Sequence, residues 1–276
     1  FVGLTILAIG TDLPELLISI AGATHRRFGL ETSGLVVGNA IGSSFGQIAL
    51  TLGILGLVGG TVAIKHRILK RDGLMMIFSV LLLGLVSIDG AISVFDGLIF
   101  LAVYMVYFFS IAREEEVYKR VDGWVKSRAV WAVASLVAGF AILAYCSNLV
   151  IENAVSLSQT WGVPQSLLGI LVVGIGTSLP ELVVSLTAIR RNKIGLGVGN
   201  LIGSNIFDIL IVLGVGSAIS GFVVSRSLLF FDIPFLLFTS LAVVFFFRKD
   251  RKLVKWESAV LIGLFLLYAI MKLFGF

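Results

Sequence analysis

The sequence predicts an all-α integral membrane protein, an inverted repeat of two five-helix halves in which the first helix is missing, so that nine spans remain. Three observations carry that prediction. Of the 276 residues, 58% are apolar and 13% charged, with a mean hydropathy of +1.08, whereas soluble domains are about half apolar and a quarter charged. The apolar residues fall in stretches of roughly 17 to 25, the length that crosses a hydrocarbon core of about 30 Å as a helix, and the ten-residue alternation of barrel strands is absent. Finally, GTDLPELLIS at 10–19 returns as GTSLPELVVS at 176–185, and GNAIGSSFGQIALTLG at 38–53 returns as GNLIGSNIFDILIVLG at 199–214.

In chain order, the spans are 1–24, holding the first acidic motif; 33–62, holding the glycine-rich motif; 73–88; and 91–112. After the polar connection 113–128 come 129–158, 164–189 with the second acidic motif, 194–221 with the second glycine-rich motif, 225–247 and 257–274. The segments between them, HRRFGLE, KHRILKRD, REEEVYKRVDGWVKSR, RRNK and RKDRKLVKW, are polar and basic and read as loops. The longest, 113–128, divides a first half at 1–112 from a second at 129–276. Aligning the copies leaves 129–158 without a counterpart in the first half, which is the missing leading helix. Five spans then separate equivalent helices, and because five is odd the second copy sits upside down relative to the first. Inverted repeats of this kind recur in secondary transporters, with sites near the midplane where helices are interrupted.

The net charge of +5 does not indicate nucleic acid, because the basic residues sit in short loops between spans. All but four of the 21 Lys and Arg residues fall on one side; Arg26, Arg27, Arg226 and Lys272 are the exceptions. The rich side is cytoplasmic by the positive-inside rule. The Phe1 end and the 113–128 loop are then inside and the C-terminus is outside. Cys146 is the single cysteine, set in an apolar helix as a packing residue. No signal peptide is visible. Trp124, Trp131 and Trp256 fit interface anchors.

The chemistry lies in the repeats. Each places a glutamate, Glu15 or Glu181, after Gly-Thr and Leu-Pro inside an apolar run. Proline removes a backbone donor and clashes with the preceding turn, so the helix breaks or kinks there. A freed carbonyl is tolerated at membrane depth only against protein, water or an ion. Thr11 and Thr177 lie four residues before the glutamates, about one turn away. Hydroxyl, carbonyl and carboxylate oxygens together suit a hard cation such as calcium; zinc would call for His or Cys, and His25 and His66 fall in loops. The alternative for the glutamates is a buried ion pair or a kink with a protonated side chain, against which stands the lack of an intramembrane Lys or Arg.

The second motif supplies Ser43 and Gln47 in one copy and Ser204 and Asp208 in the other, each pair on one helical face. Asp208 lies deep in its span and needs a proton, a cation or a partner. Asn39, Asn200 and Asn205 either bond across helices or bind ions. Asp96, Glu152 and Asp232 lie toward outer helix ends and read as interfacial, and Glu114, Glu115 and Glu116 as a solvated run.

These paired GTSLPE and GNxxGSN segments resemble the alpha repeats of the cation/calcium exchanger superfamily, closest to its prokaryotic sodium/calcium exchanger branch. The resemblance covers essentially the whole chain. It implies a ten-helix exchanger fold without its first helix here, and an alternating-access antiporter of a prokaryotic cell membrane that moves calcium against sodium. By position it makes Glu15 and Glu181 central calcium ligands with Thr11 and Thr177. Ser178, Ser43 and Ser204 would line flanking sodium sites, Asp208 would stand beside the centre, and Ala8 and Gly174 would offer carbonyls. The first copy departs from the pattern: Asp12 stands for the usual serine, Ser44 and Gly46 break the SNxxD/N run, and Gln47 replaces Asn or Asp. With Asp12, four carboxylates share the pocket. Such crowding disfavours full ionisation, so proton-coupled exchange is the runner-up, alongside a potassium-dependent one. A cation channel using the same acids is a further alternative. An enzyme is not expected, since nothing accompanies the acids for water activation; no cofactor is implied beyond the transported ions. Partners are calcium, sodium and the lipid bilayer, and a monomer suffices.

Overall fold

The computed structural model describes residues 8–64, 66–114 and 126–275. Helices dominate. They are α1 (Ala8–Thr11), α2 (Leu13–Arg27), α3 (Ser33–Gly59), α4 (Leu74–Val86) and α5 (Val94–Glu114), then α6 (Lys126–Trp161), α7 (Gln165–Arg190), α8 (Ile194–Ser220), α9 (Leu228–Lys249) and α10 (Lys255–Leu273). Among the described residues seven helices are long and apolar enough to cross a membrane. The other two expected spans are shorter as single helices: α2 is separated from α1 at Asp12, and α4 extends backward through a π-turn at Leu69–Gly73. Residues 1–7, the loop core 115–125 and Trp124 lie outside the described residues, as does the Trp131 side chain.

α3 and α8, the two glycine-rich motif helices, are the centre. In each, 78% of the apolar window is buried, against 17% to 44% for the other five spans. Small residues make this possible, because a helix without side-chain bulk can meet another backbone to backbone. A Cβ on Gly42 of α3 would collide with the backbone of Ile170, and one on Gly174 of α7 would lie 2.7 Å from the amide nitrogen of Ser43. α3 and α7 therefore touch where the two motifs meet.

The loops repeat the internal symmetry. β1 (Thr61–Ala63) pairs antiparallel with β4 (Lys252–Val254), and β2 (Ala91–Ile92) with β3 (Phe222–Val223). Each ribbon joins a loop of one half to a loop of the other, and the repeat converts β1 into β3 and β2 into β4. Helix starts repeat too: Asp96 accepts the Ser93 amide and hydroxyl at the head of α5, and Glu257 accepts the Val254 amide at the head of α10. These caps satisfy amides that a helix start leaves without partners.

Three sequence readings change. Cys146 is exposed on α6 rather than packed, since that helix turns little of itself toward the core. Asp232, read as interfacial, is fully buried, and Lys272, counted among the basic residues of the outer side, is 5% exposed. The two form a buried ion pair at 2.6 Å between the end of α10 and the start of α9.

Candidate functional site

Both acidic motifs break their helices in the same way. Asp12 has φ −86° and ψ 6°, and Ser178 has φ −81° and ψ 0°; each is the N-cap of a helix that restarts with Leu-Pro-Glu. Pro14 and Pro180 have no N–H to give to the carbonyls of Gly10 and Gly176, so those oxygens lose their helical partner. A Cβ at either glycine would meet nothing within 4 Å, so both carbonyl-bearing positions border open space. Glu15 and Glu181 stand in the first turn after the break, where the unsatisfied amides of a helix N-terminus favour negative charge.

Asp12, Glu15, Glu181 and Asp208 are all fully buried and lie within electrostatic reach of one another, with Asp12 beside Glu181. Thr11 lies near Glu181, and Thr177 near Glu15, so each motif threonine stands by the glutamate of the opposite half. Among the described residues no Lys or Arg pairs with these acids, and both oxygens of Asp12 and Glu181, Oε2 of Glu15 and Oδ1 of Asp208 accept no standard hydrogen bond. Unpaired carboxylates this deep are costly, since removing an ion from water costs several kcal/mol or more without a compensating charge (of order 20 kcal/mol in the idealised limit). As the side chains stand, no three acidic groups among the described residues surround one point closely enough to hold a metal ion. Closing a calcium cage therefore requires side-chain movement or the hydroxyl, carbonyl and amide oxygens nearby.

Those nearby oxygens form a connected set. Ser43 Oγ lies 3.0 Å from Glu15 Oε1 and 2.8 Å from Ser178 Oγ. Ser178 donates to the Gly174 carbonyl at 2.8 Å, and Thr177 reaches the same carbonyl and Asn39 Oδ1, both at 3.3 Å. The Gly174 carbonyl thus faces two hydroxyls. Gln47 Nε2 lies 3.2 Å from both Ser43 Oγ and Asp208 Oδ2. Ser204 Oγ is buried without a partner. Of Ala8, the described structure gives only its place as the first residue of α1.

π-helical turns frame this cluster, at Gly46–Thr51 in α3, Gly169–Gly174 in α7 and Asp208–Val212 in α8. Such turns widen the helix by one residue and are frequent at functional sites. Gln47 and Asp208, equivalent by the repeat, sit at the start of two of them.

Sequence reading missed a second pair of buried acids. Asp72 accepts Arg71 Nε at 2.6 Å and the Tyr107 hydroxyl at 3.0 Å, while Asp232 accepts Lys272 Nζ and the Tyr268 hydroxyl, both at 2.6 Å. The signal was present: Tyr107 and Tyr268 recur one repeat apart, and Asp72 and Asp232 to within one residue of it, outside the motifs that drew the alignment. These acids have cationic partners, which separates them from the four at the centre. Asn205 takes the cross-helix bond, one of its two sequence readings. It donates to Gln47 Oε1 at 2.9 Å and so ties α8 to α3 inside the cluster.

Comparison with known proteins agrees with this architecture. A family model described as "Sodium/calcium exchanger protein" matches residues 1–112 and 131–274. The putative antiporter CaxA of Alkalimonas amylolytica is 33% identical over 285 residues, spanning 97% of this chain and 86% of that protein. The sodium/calcium exchanger MaX1 of Methanosarcina acetivorans is 27% identical over 311 residues, spanning 98% and 87%. Among solved structures, the sodium-calcium exchanger NCX_Mj soaked with 2.5 mM Na+ and 10 mM Sr2+ superposes with a TM-score of 0.70 at 29% identity, covering 96% of this chain and 84% of that one. These relatives are described as transporters, not enzymes.

Proposed function

The chain belongs to the sodium/calcium exchanger family, and on that premise we propose that it exchanges calcium for sodium across a membrane by alternating access. The observation that carries this reading is the group of four buried carboxyls, Asp12, Glu15, Glu181 and Asp208, drawn from both halves and left without a cationic partner among the described residues. Calcium takes six to eight oxygens, carboxylates foremost. Glu15 and Glu181 are its central ligands in this reading, with Thr11, Thr177 and the backbone at Ala8 and Gly174 around them; Ser43, Ser178 and Ser204 flank the centre where sodium enters, and Asp208 and Gln47 stand beside it.

One calcium, or several sodium ions, neutralises the cluster in turn. Because both loads use the same oxygens, full occupancy by both is disfavoured, and that competition is the coupling. The empty pocket keeps repelling acids close together, which opposes a change of side without cargo. The two halves, 1–112 and 129–276, are upside-down copies, so the same movement executed by either one opens the pocket to opposite faces. In this reading the loops rich in Lys and Arg face the cytoplasm, with the Phe1 end and the 113–128 loop on that side.

Asp12 supports a second reading, proton-coupled exchange. Its carboxyl lies beside Glu181 at a position where the second half has Ser178, and a proton shared there would relieve the repulsion. Calcium-45 uptake into vesicles holding the purified chain, under imposed sodium, potassium and proton gradients, separates these readings. Uptake indifferent to all three gradients would remove antiport, and conductance too large for a turnover cycle would indicate a channel.

A further inference from the structure

Gln47 is the residue of the cluster whose chemistry least suits a cation ligand, and its neighbours fix which way its amide faces. Asn205 Nδ2 reaches two carbonyl oxygens, of Ser44 at 3.1 Å and Leu201 at 3.3 Å, so that atom is the nitrogen donor of Asn205. The Gln47 atom 2.9 Å from it is therefore the oxygen. Gln47 Nε2 then directs its two hydrogens at Ser43 Oγ and Asp208 Oδ2, each 3.2 Å away. One acceptor comes from each half of the protein. Gln47, Ser43 and Asp208 are fully buried, and Asn205 is 1% exposed.

An amide that gives both hydrogens to two facing oxygens presents partial positive charge where a monovalent cation would otherwise bridge them. Unlike an ion, it cannot leave. The internal repeat supplies the contrast: Asp208, the counterpart of Gln47, keeps Oδ1 unpartnered, whereas every polar atom of Gln47 is engaged. From this geometry we infer that the Gln47 amide permanently fills a monovalent-cation position between Ser43 and Asp208, so that this chain binds one sodium ion fewer than it would with a carboxylate at 47. The inference rests on the exchange reading above and names its stoichiometry-determining residue.

A carboxylate at 47 would remove both hydrogens and set a second negative charge against Asp208, and a cation would then be needed between them. The test counts sodium-22 bound at saturation to the purified full chain in detergent by scintillation proximity, for the wild type, Gln47→Asp, Gln47→Glu and Gln47→Asn. The carboxylate variants are expected to bind one more sodium ion per chain, with a steeper sodium displacement of calcium-45, and the asparagine variant to keep the wild-type count. Equal counts in either monodisperse carboxylate variant overturn the inference, as does a gain in the asparagine variant. Gln47→Glu, nearly isosteric, keeps the test decisive if the shorter aspartate fails to fold. Vesicle uptake is a separate arm: no gradient-driven calcium flux, together with a raised sodium count, would remove the exchange reading and leave the Gln47 inference standing.

Discussion

The Tyr268 hydroxyl donates to Asp232 Oδ1 across 2.6 Å, and the same ring lies 4.4 Å, centroid to centroid, from Phe45 on the central helix α3. Asp232 also takes Lys272 Nζ at 2.6 Å and is fully buried. One acid thus connects α9 to α10, and the tyrosine carries that connection to the residue two positions before Gln47.

Removing the lysine leaves a buried charge without a partner, which costs about 3–5 kcal/mol. Lys272→Met is therefore expected to lower the melting temperature sharply in detergent. Lys272→Met with Asp232→Asn should recover most of the loss, because the neutral amide removes the unpaired charge while its oxygen still accepts the Tyr268 hydroxyl. A double variant as unstable as the single one would show that the pair is not the cause.

Much of this was legible in the sequence, because membrane spans and duplicated motifs leave strong periodic signals. Glu15, Glu181 and Asp208 stood out as charges in apolar runs, and the Leu-Pro-Glu sequence located both helix breaks, since proline cannot complete the turn. The π-turns were not legible: Gly46–Thr51 and Asp208–Val212 have no residue that demands a five-residue hydrogen bond, and tertiary packing selects them. The Asp232–Lys272 pair was also hidden, because its members lie forty residues apart and near span ends. Nor does spacing reveal which way the Gln47 amide faces, which depends on two carbonyls of other turns.

The close contact of α3 and α7 predicts intolerance at Gly174. A methyl there would lie 2.7 Å from Ser43 N and 2.8 Å from Asn39 O, and overpacking of this kind costs about 1–3 kcal/mol. Gly174→Ala is expected to melt earlier and to bind calcium more weakly, because parting the helices stretches the 2.8 Å contact of Ser43 with Ser178. Gly139→Ala is the control. Its methyl would meet nothing within 4 Å, and alanine favours a helix by about 1 kcal/mol over glycine, so its melting temperature should hold or rise. Equal behaviour of the two variants would argue against the packing account.

Glu181→Gln keeps the side-chain shape and removes a ligand charge. The chain should still insert and give a monodisperse peak, since the change relieves repulsion among buried acids instead of creating it. Calcium-45 exchange in vesicles should fall to background. Near-normal flux would move the calcium site away from Glu181.

Asp12→Ser tests the departure of the first half from the second. Loss of one unit charge at a given distance weakens the attraction for a divalent ion twice as much as for a monovalent one, since Coulomb energy scales with the product of the charges. The variant should therefore need more calcium for half-saturation while its sodium dependence changes less. Its flux should also vary less with pH, because protons lose one carboxyl at which to compete with calcium. The check is a grid of calcium-45 uptake against calcium concentration and pH, wild type beside variant. If neither the half-saturating calcium nor the pH profile moves, Asp12 acts through the backbone at the helix break, where Ser178 adopts nearly the same φ and ψ, and the proton-coupled reading loses the residue that motivates it.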